Sequence, residues 1–168
     1  MTQEVKRNYL EITSLNDLKE GKNPSIDYSL NLLDPDDFQL NKFFYKSIGK
    51  KHKWIDRLSW SEEKWINYVS SKNVNTYVLK YKNDLVGFFE LIIHQENNEI
   101  EIAYFGILEE YQNNKLGSYL LSEAIKESLT KKNIGRVWLH TCSLDHKNAL
   151  NNYLARGMKI FKSEIINI

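Results

Sequence analysis

The segment that joins an apolar strand to an amphipathic helix is the first place where the sequence offers chemistry. Residues 107 to 118 read Ile-Leu-Glu-Glu-Tyr-Gln-Asn-Asn-Lys-Leu-Gly-Ser. A polar turn of this kind exposes unpaired backbone N–H groups at the positive end of a helix dipole, which suits a phosphate or pyrophosphate group. An ordinary helix start has the same composition, so the turn alone leaves both interpretations open.

A second group of chemically active side chains follows, comprising His140, Cys142, Asp145 and His146. A metal site would need all four to converge, but two lie on an expected strand and two begin the next helix, so we predict no metal. A Cys–His nucleophile would need Cys142 exposed in a positive pocket. We favour a buried structural cysteine, and we keep His140 as a candidate base because its reference pKa of about 6.5 suits neutral pH.

Hydrophobic spacing predicts the elements that must position these groups. Strands are expected at residues 9–13, 76–81, 85–93, 100–108, 137–142 and 158–166. Helices are expected from Asp34 to Gly49, from Ser61 to Val69, from Leu116 to near Lys131 and from Asp145 to Leu154. Residues 16–34 show an irregular pattern, so the expected order is β, α, α, β, β, β, α, β, α, β.

Three stretches in this order resemble one known family. Residues 110–118 resemble the Q/R-x-x-G-x-G/A acetyl-CoA motif of the GNAT superfamily of N-acetyltransferases, at that family's position between the fourth strand and the third helix. Residues 140–158 resemble the family's strand, loop, N-x-x-A-x-x-x-Y segment and closing glycine. The hairpin that ends at residues 87–91 resembles its second and third strands.

The resemblance implies a mixed α/β (α+β) GNAT fold, with a central, mostly antiparallel sheet splayed between its fourth and fifth strands and flanked by helices. Residues 1–168 would form one domain. In it, residues 74–162 are the acetyl-CoA-binding core and residues 15–70 are a variable helical segment on the acceptor side. The implied activity is direct transfer of the acetyl group of acetyl-CoA to a primary amine of a small molecule or peptide.

The resemblance also assigns roles to individual residues. Glu101, eleven residues before Gln112, would act as the base through a water molecule, and Tyr153 would act as the acid that protonates the leaving thiolate. Glu90, which interrupts an apolar run, is a second candidate base. The expected cofactor-binding residues are Ile107, Leu108, Gln112, Asn113, Asn114, Lys115, Leu116, Gly117, Ser118 and Asn148.

Lys115 departs from the family pattern because it stands where the motif has its first glycine. If that glycine permits close approach of the backbone, the lysine stem must turn outward, where its ammonium still reaches a phosphate. The backbone amides of the turn remain available in either case. A non-catalytic acyl-CoA-binding module is the alternative function that this substitution favours.

An aromatic cluster precedes the central hairpin. Trp54, Asp56, Arg57, Trp60 and Trp65 fall within a short span. Such a density of rings is typical of an acceptor-binding wall and equally of the packing of two short helices. Both interpretations stay open.

Composition limits the class of protein. The 42% hydrophobic and 27% charged residues are typical of globular domains and exclude disordered, collagen-like and coiled-coil chains. The longest apolar stretch, residues 85–93, is too short for a membrane span and is interrupted by Glu90. The first ten residues lack the apolar core of a signal peptide and Cys142 stands alone, so we expect a cytoplasmic protein without an intrachain disulfide or membrane contact.

Charge is nearly balanced, with 23 Lys and Arg against 22 Asp and Glu. A nucleic-acid binder usually carries a clear basic excess, so no nucleic-acid partner is expected. An RNA- or DNA-binding adaptor that uses the basic runs 50–53 and 131–132 remains a rival hypothesis. The sequence leaves the oligomeric state open, with a homodimer as one alternative.

Overall fold

In the computed structural model, which describes residues 2–168, seven strands form one sheet with helices on both faces. The strands are β1 (Glu4–Ile12), β2 (Tyr28–Leu32), β3 (Val74–Tyr81), β4 (Asp84–His94), β5 (Glu99–Ile107), β6 (Arg136–Cys142) and β7 (Lys159–Asn167). The helices are α1 (Phe38–Gly49), α2 (Glu62–Val69), α3 (Leu116–Leu129) and α4 (Ala149–Ala155). The predicted mixed class is therefore confirmed.

The strands lie in the order β2-β3-β4-β5-β6-β1-β7, and all neighbours are antiparallel except β5 and β6. Helices α3 and α4 cover one face, and α1 and α2 cover the other. Apolar residues of α3 recur at helical spacing, so one side of the helix packs on the sheet: Leu116, Leu120, Leu121, Ala124 and Ile125. Full burial of each large side chain contributes about 1.5–3 kcal/mol.

The sheet opens between β5 and β6. These strands pair only where Glu99–Glu101 lies beside Arg136–Trp138. Past this point β5 stays with β4 and β6 stays with β1, and a register shift in β5 falls just where the separation begins. This is the predicted splay between the fourth and fifth expected strands, and it leaves one edge of β5 without a strand partner.

The segment after β1 crosses the outside of α3 and α4. The amide of Lys19 donates to the carbonyl of Arg156 at 2.9 Å, and the amide of Gly21 donates to Ser122 Oγ at 2.8 Å. Residues 15–70 were expected to form one helical segment on the acceptor side, but only the part that contains α1 and α2 fits this expectation. The early part of this segment packs on the opposite face of the sheet.

Two predicted elements differ from the structure. Strand β2 was expected to be irregular chain, because its five residues lie among turn-forming residues and depend on β3 for their hydrogen bonds. The last helix begins at Ala149 instead of Asp145. Asp145 instead closes the preceding turn, where its carboxylate accepts from the Thr141 hydroxyl and from the Cys142 amide.

Among residues 2–168, no helix combines the length and the apolar character that a membrane crossing needs.

Gly157 carries a specific steric requirement. Its φ of +103° is a conformation that L side chains rarely adopt, and a Cβ at this position would lie 2.0 Å from the carbonyl oxygen of Asp17. We expect Gly157→Ala to lower the free energy of unfolding by about 2–4 kcal/mol, measured by urea denaturation. Gly135→Ala is the matched control, since a Cβ there meets nothing within 4 Å. Equal stability of the two variants would contradict this account.

Candidate active site

A cleft of about 1390 Å³ occupies the opening between β5 and β6. It extends from the start of α3 to the aromatic segment before α2, so it connects the two faces of the sheet. Among the residues to which the family resemblance assigned roles, ten line it: Glu101, Ile107, Gln112, Asn113, Lys115, Leu116, Gly117, Ser118, Asn148 and Tyr153. Glu90, Leu108 and Asn114 lie outside its lining. The amide of Leu108 instead donates to the carbonyl of Val86 at 2.8 Å.

The turn before α3 is built by two residues in the left-handed conformation. Asn113 has φ of 67° and Lys115 has φ of 61°. The side chains of Gln112 and Asn114 donate to backbone carbonyls of the same turn, at 3.2 Å to Ile107 and 3.2 Å to Tyr111. Within the described chain, Lys115 provides no side-chain cap for α3, and the first turn contains no acidic residue. The first amides of α3 are thus left without a side-chain cap at the cleft.

The conformation of Lys115 explains why a glycine suits this position. A left-handed residue with a Cβ costs roughly 1–2 kcal/mol, a cost that glycine avoids. Lys115 accepts this conformation and remains exposed, so the loop keeps its path.

Gly117 differs from Lys115 because the fold does not require a glycine there. A Cβ at Gly117 would meet only Asn152 Nδ2, at an ordinary contact distance of 3.7 Å. The same amide nitrogen donates to the Gly117 carbonyl at 3.1 Å and ties α4 to the start of α3.

Glu101 lies at the point where the strands separate. It is paired with Trp138 in the last register position shared by β5 and β6. Its side chain is 17% exposed, and its carboxylate lies 3.2 Å from His94 Nε2. A carboxylate with limited exposure therefore faces the cleft at its apex.

Tyr153 reaches the cleft from α4. The residue is 8% exposed, and its ring lies edge-on to Phe105 with 6.4 Å between centroids. Burial, with a smaller effect of the Asp145 charge, raises the pKa of Tyr153 well above the usual range of tyrosine. Its hydroxyl therefore keeps its proton at neutral and moderately alkaline pH.

Glu90, on β4, is fully buried, and hydrogen-bond donors surround its carboxylate. Its two carboxylate oxygens accept from Arg57 Nη1 at 2.8 Å and from Arg57 Nη2 at 2.7 Å. The Tyr68 hydroxyl and Asn41 Nδ2 each donate to it at 2.9 Å. With four donors and no access to the cleft, Glu90 has a structural environment and is not placed to remove a proton from a molecule in the cleft.

Arg57 is surrounded by aromatic rings. Its guanidinium carbon lies 4.3–5.8 Å from five ring centroids, those of Tyr45, Trp60, Trp65, Tyr68 and Tyr104. Burial disfavours its charge, but the Glu90 carboxylate outweighs this effect and raises its pKa. Trp65 is fully buried, as core packing predicts, while Trp54 and Trp60 line the cleft, where an acceptor-binding wall stays a prediction.

The four side chains grouped in the sequence, His140, Cys142, Asp145 and His146, do not form a separate metal or nucleophilic centre. His140 faces the cleft, where the enclosing protein, assisted by the charge of Arg7, lowers its pKa below the usual histidine value. Asp145 is engaged in its turn by Thr141 and the Cys142 amide. In the described part of the chain, no three His, Cys, Asp or Glu side chains converge as a metal site would require.

Residues 38–158 match the family model described as the acetyltransferase (GNAT) family. The chain belongs to the GNAT acetyltransferase family. The resemblance noted from the sequence motifs is thereby confirmed, and the matched range also includes α1 and α2. By sequence, no curated protein matches the chain.

Solved GNAT structures share the fold. A GCN5-related N-acetyltransferase from Sphaerobacter thermophilus has a TM-score of 0.75 at 13% identity, covering 99% of this chain and 52% of its own. Another, from Kribbella flavida, has a TM-score of 0.68 at 12% identity, covering 99% and 58%. The PaiA N-acetyltransferase from Thermoplasma acidophilum in complex with coenzyme A is 26% identical, with a TM-score of 0.50, covering 64% and 74%. The chain spans only slightly more than half the length of the first two structures.

Sequence reasoning did not find the role of Arg57 or its partners. Arg57 and Glu90 are 33 positions apart, so no local spacing connects them. The available signal was the carboxylate of Glu90 inside an apolar strand, because a buried charge needs a partner of opposite charge.

The Arg57–Glu90 pair should control stability. Glu90→Gln leaves the Arg57 charge buried without its anion, so we expect the free energy of unfolding to fall by about 3–5 kcal/mol in urea titrations. The double variant Arg57→Met/Glu90→Leu is the control, because it removes both charges and should recover most of the loss. A Glu90→Gln protein as stable as the original would contradict the structural role.

Proposed function

We propose that the chain is an N-acetyltransferase that transfers the acetyl group of acetyl-CoA directly to a primary amine. The observation that carries this proposal is that one and the same cleft is lined by the uncapped start of α3, by Glu101 and by Tyr153. Membership of the GNAT family and the coenzyme A bound to the PaiA N-acetyltransferase support the same conclusion.

The residues at the start of α3 fit a pyrophosphate group. Helix α3 offers uncapped amides, a first turn without carboxylates and, at Gly117, space next to the backbone. The exposed ammonium of Lys115 adds a positive charge at the same end. The free edge of β5 offers backbone groups to the pantetheine arm, whereas the amide and the carbonyl of Leu108 are already bonded to Val86 and Tyr111.

Acetyl-CoA, when bound, supplies an acyl carbon that is activated by its thioester. An alkyl amine such as that of lysine has a pKa near 10.4, so it must lose a proton before it can attack. Glu101 takes this proton through a water molecule and passes it to solvent, and it takes a second proton from the nitrogen in the same way as the nitrogen bonds to the acyl carbon and becomes an amide. Tyr153 donates a proton to the sulfur as the carbon–sulfur bond breaks. Neutral His140 remains the alternative base on the same cleft.

Gly117 provides a test of cofactor position. Because the fold accepts a Cβ there and alanine favours helix more than glycine does, we expect Gly117→Ala to leave stability unchanged or to raise it by up to about 1 kcal/mol. The same methyl group should lower the affinity for acetyl-CoA by about tenfold or more, measured by isothermal titration calorimetry. Gly135→Ala serves as the control that adds a methyl group away from the cleft. Unchanged affinity in Gly117→Ala would place the pyrophosphate elsewhere.

Two substitutions test the chemistry. Glu101→Gln and Tyr153→Phe should each lower kcat by roughly 10²-fold or more while acetyl-CoA affinity is retained, as measured by thiol release and calorimetry. Their controls are Glu96→Gln, which removes the other carboxylate beside His94, and Tyr119→Phe, which changes a half-buried tyrosine of α3 outside the cleft. Because burial raises the pKa of Tyr153, activity should not fall up to about pH 9 through loss of its proton.

A screen of amines, amino acids, polyamines and peptides for acetyl-CoA-dependent thiol release tests the proposal as a whole. Saturable acetyl-CoA binding without turnover on any amine would instead support a non-catalytic acyl-CoA-binding module. If acetyl-CoA does not bind at all, the proposal fails. Salt-dependent binding of RNA or DNA would favour the adaptor hypothesis.

A further inference from the structure

Arg7 presents to the cleft a cation that no carboxylate of residues 2–168 contacts. The residue lies on β1, is half-buried and lines the cleft. Its Nε is enclosed by protein and has no hydrogen-bond partner, and the guanidinium makes no ion pair within residues 2–168. Glu164, its register partner on β7, does not contact the guanidinium: its carboxylate accepts from the Tyr9 hydroxyl at 2.6 Å and pairs with Lys162, and these bonds, followed by the charge of Arg7, lower its pKa.

A second cation stands on the same side of the cleft. Lys53 lines the cleft and donates to the Gln3 side chain near the start of β1, at 3.1 Å. The charge of Arg7 also reaches His140, whose pKa is lowered first by the protein around the imidazole and then by this charge. The wall formed by Arg7 and Lys53 is therefore positive and lacks its own carboxylates at contact distance in the described chain.

The cleft is also lined by a free carboxylate. Asp56 is exposed, lines the cleft and makes no ion pair among the described residues. The charges of Asp145 and, after it, of Asp56 act to raise the pKa of His140, although burial and Arg7 lower it overall. The cleft that Glu101 also lines thus offers one ligand a cation, Arg7, and an anion, Asp56, neither of which makes an ion pair among the described residues.

We propose that the acceptor is an amine that also carries a carboxylate, and that Arg7 binds this carboxylate. The guanidinium has the planar, paired donors that match a carboxylate in a bidentate arrangement, and its partial burial strengthens the interaction. Asp56 attracts the ammonium form of the same acceptor before Glu101 removes its proton. This inference rests on the proposed acetyltransferase function and adds no bond change to that reaction.

Matched pairs of amines test the inference. Thiol release is measured with lysine against 1,5-diaminopentane and with phenylalanine against 2-phenylethylamine, which differ only in the carboxylate. For at least one pair, we expect kcat/KM to be at least about tenfold higher for the member with the carboxylate.

Variants of Arg7 identify the residue responsible. Arg7→Gln should lower kcat/KM for that carboxylate-bearing amine by about 10- to 100-fold, mainly through KM, and should leave its decarboxylated partner unchanged. Arg7→Lys should restore part of the loss because it returns the charge without the bidentate geometry. Lys6→Gln is the matched control, since it removes the exposed cation next to Arg7 on β1 and lies outside the cleft.

The outcomes separate the two proposals. Turnover of decarboxylated amines at equal or higher kcat/KM, or an Arg7→Gln variant with unchanged discrimination, overturns the inference and leaves the acetyltransferase function standing. Weaker acetyl-CoA binding by Arg7→Gln also overturns it, because the guanidinium then belongs to the cofactor end. Failure to bind acetyl-CoA, or binding without turnover of any amine, overturns both.

Discussion

The early end of pairing between β5 and β6 is the constraint on which the rest of this structure depends. Three register positions hold the two halves of the sheet together, after which the strands diverge. An interior sheet edge without a partner is costly, because its backbone N–H and C=O groups need hydrogen bonds from somewhere. In the cleft these backbone groups are accessible, so a ligand or water in the opening can form the missing hydrogen bonds. Glu101 stands at its apex for the same reason: it belongs to the last paired position.

The wall opposite α3 depends on a different interaction, the buried pair of Arg57 and Glu90. Compared with apolar residues of similar volume, a buried ion pair adds little net stability, because desolvation of two charges offsets their attraction. The pair instead fixes the position of one chain segment relative to the sheet. Glu90 is fixed within β4, and its four hydrogen bonds hold the segment before α2 at one place on the sheet. Trp60 then stacks on the Arg57 guanidinium and lines the cleft in that arrangement.

Sequence patterns predicted the elements that bury a continuous apolar face, and failed where tertiary partners decide. Helix α3 could be read from the spacing of its leucines because nearly every third or fourth residue faces the core. Strand β2 could not be predicted in this way, although Tyr28, Leu30 and Leu32 alternate with polar residues. A five-residue edge strand exists only through its pairing, here with β3. Asp145 resembled a helix start, yet its carboxylate is used by the turn before α4.

The candidate site divides in the same way. The strand-to-helix turn is local in sequence, so its residues could be nominated as a group, and most of them line the cleft. Glu90 was nominated as a base because an isolated carboxylate in an apolar strand demands an explanation. The explanation is Arg57, whose position depends on the path of the chain between α1 and α2. Arg7 went unnoticed because a single arginine on an amphipathic strand has no distinguishing neighbours in sequence.

The two motif positions at the start of α3 have different physical requirements, which the substitution at Lys115 makes visible. Position 115 needs a positive φ, and a lysine can meet this need at the expense of backbone strain. Position 117 has helical geometry and room for a methyl group, so neither conformation nor packing within the protein accounts for its glycine. A glycine in a helix even costs up to about 1 kcal/mol relative to alanine. The chain therefore lacks the glycine that would ease its own backbone and has one that neither its backbone conformation nor its packing requires.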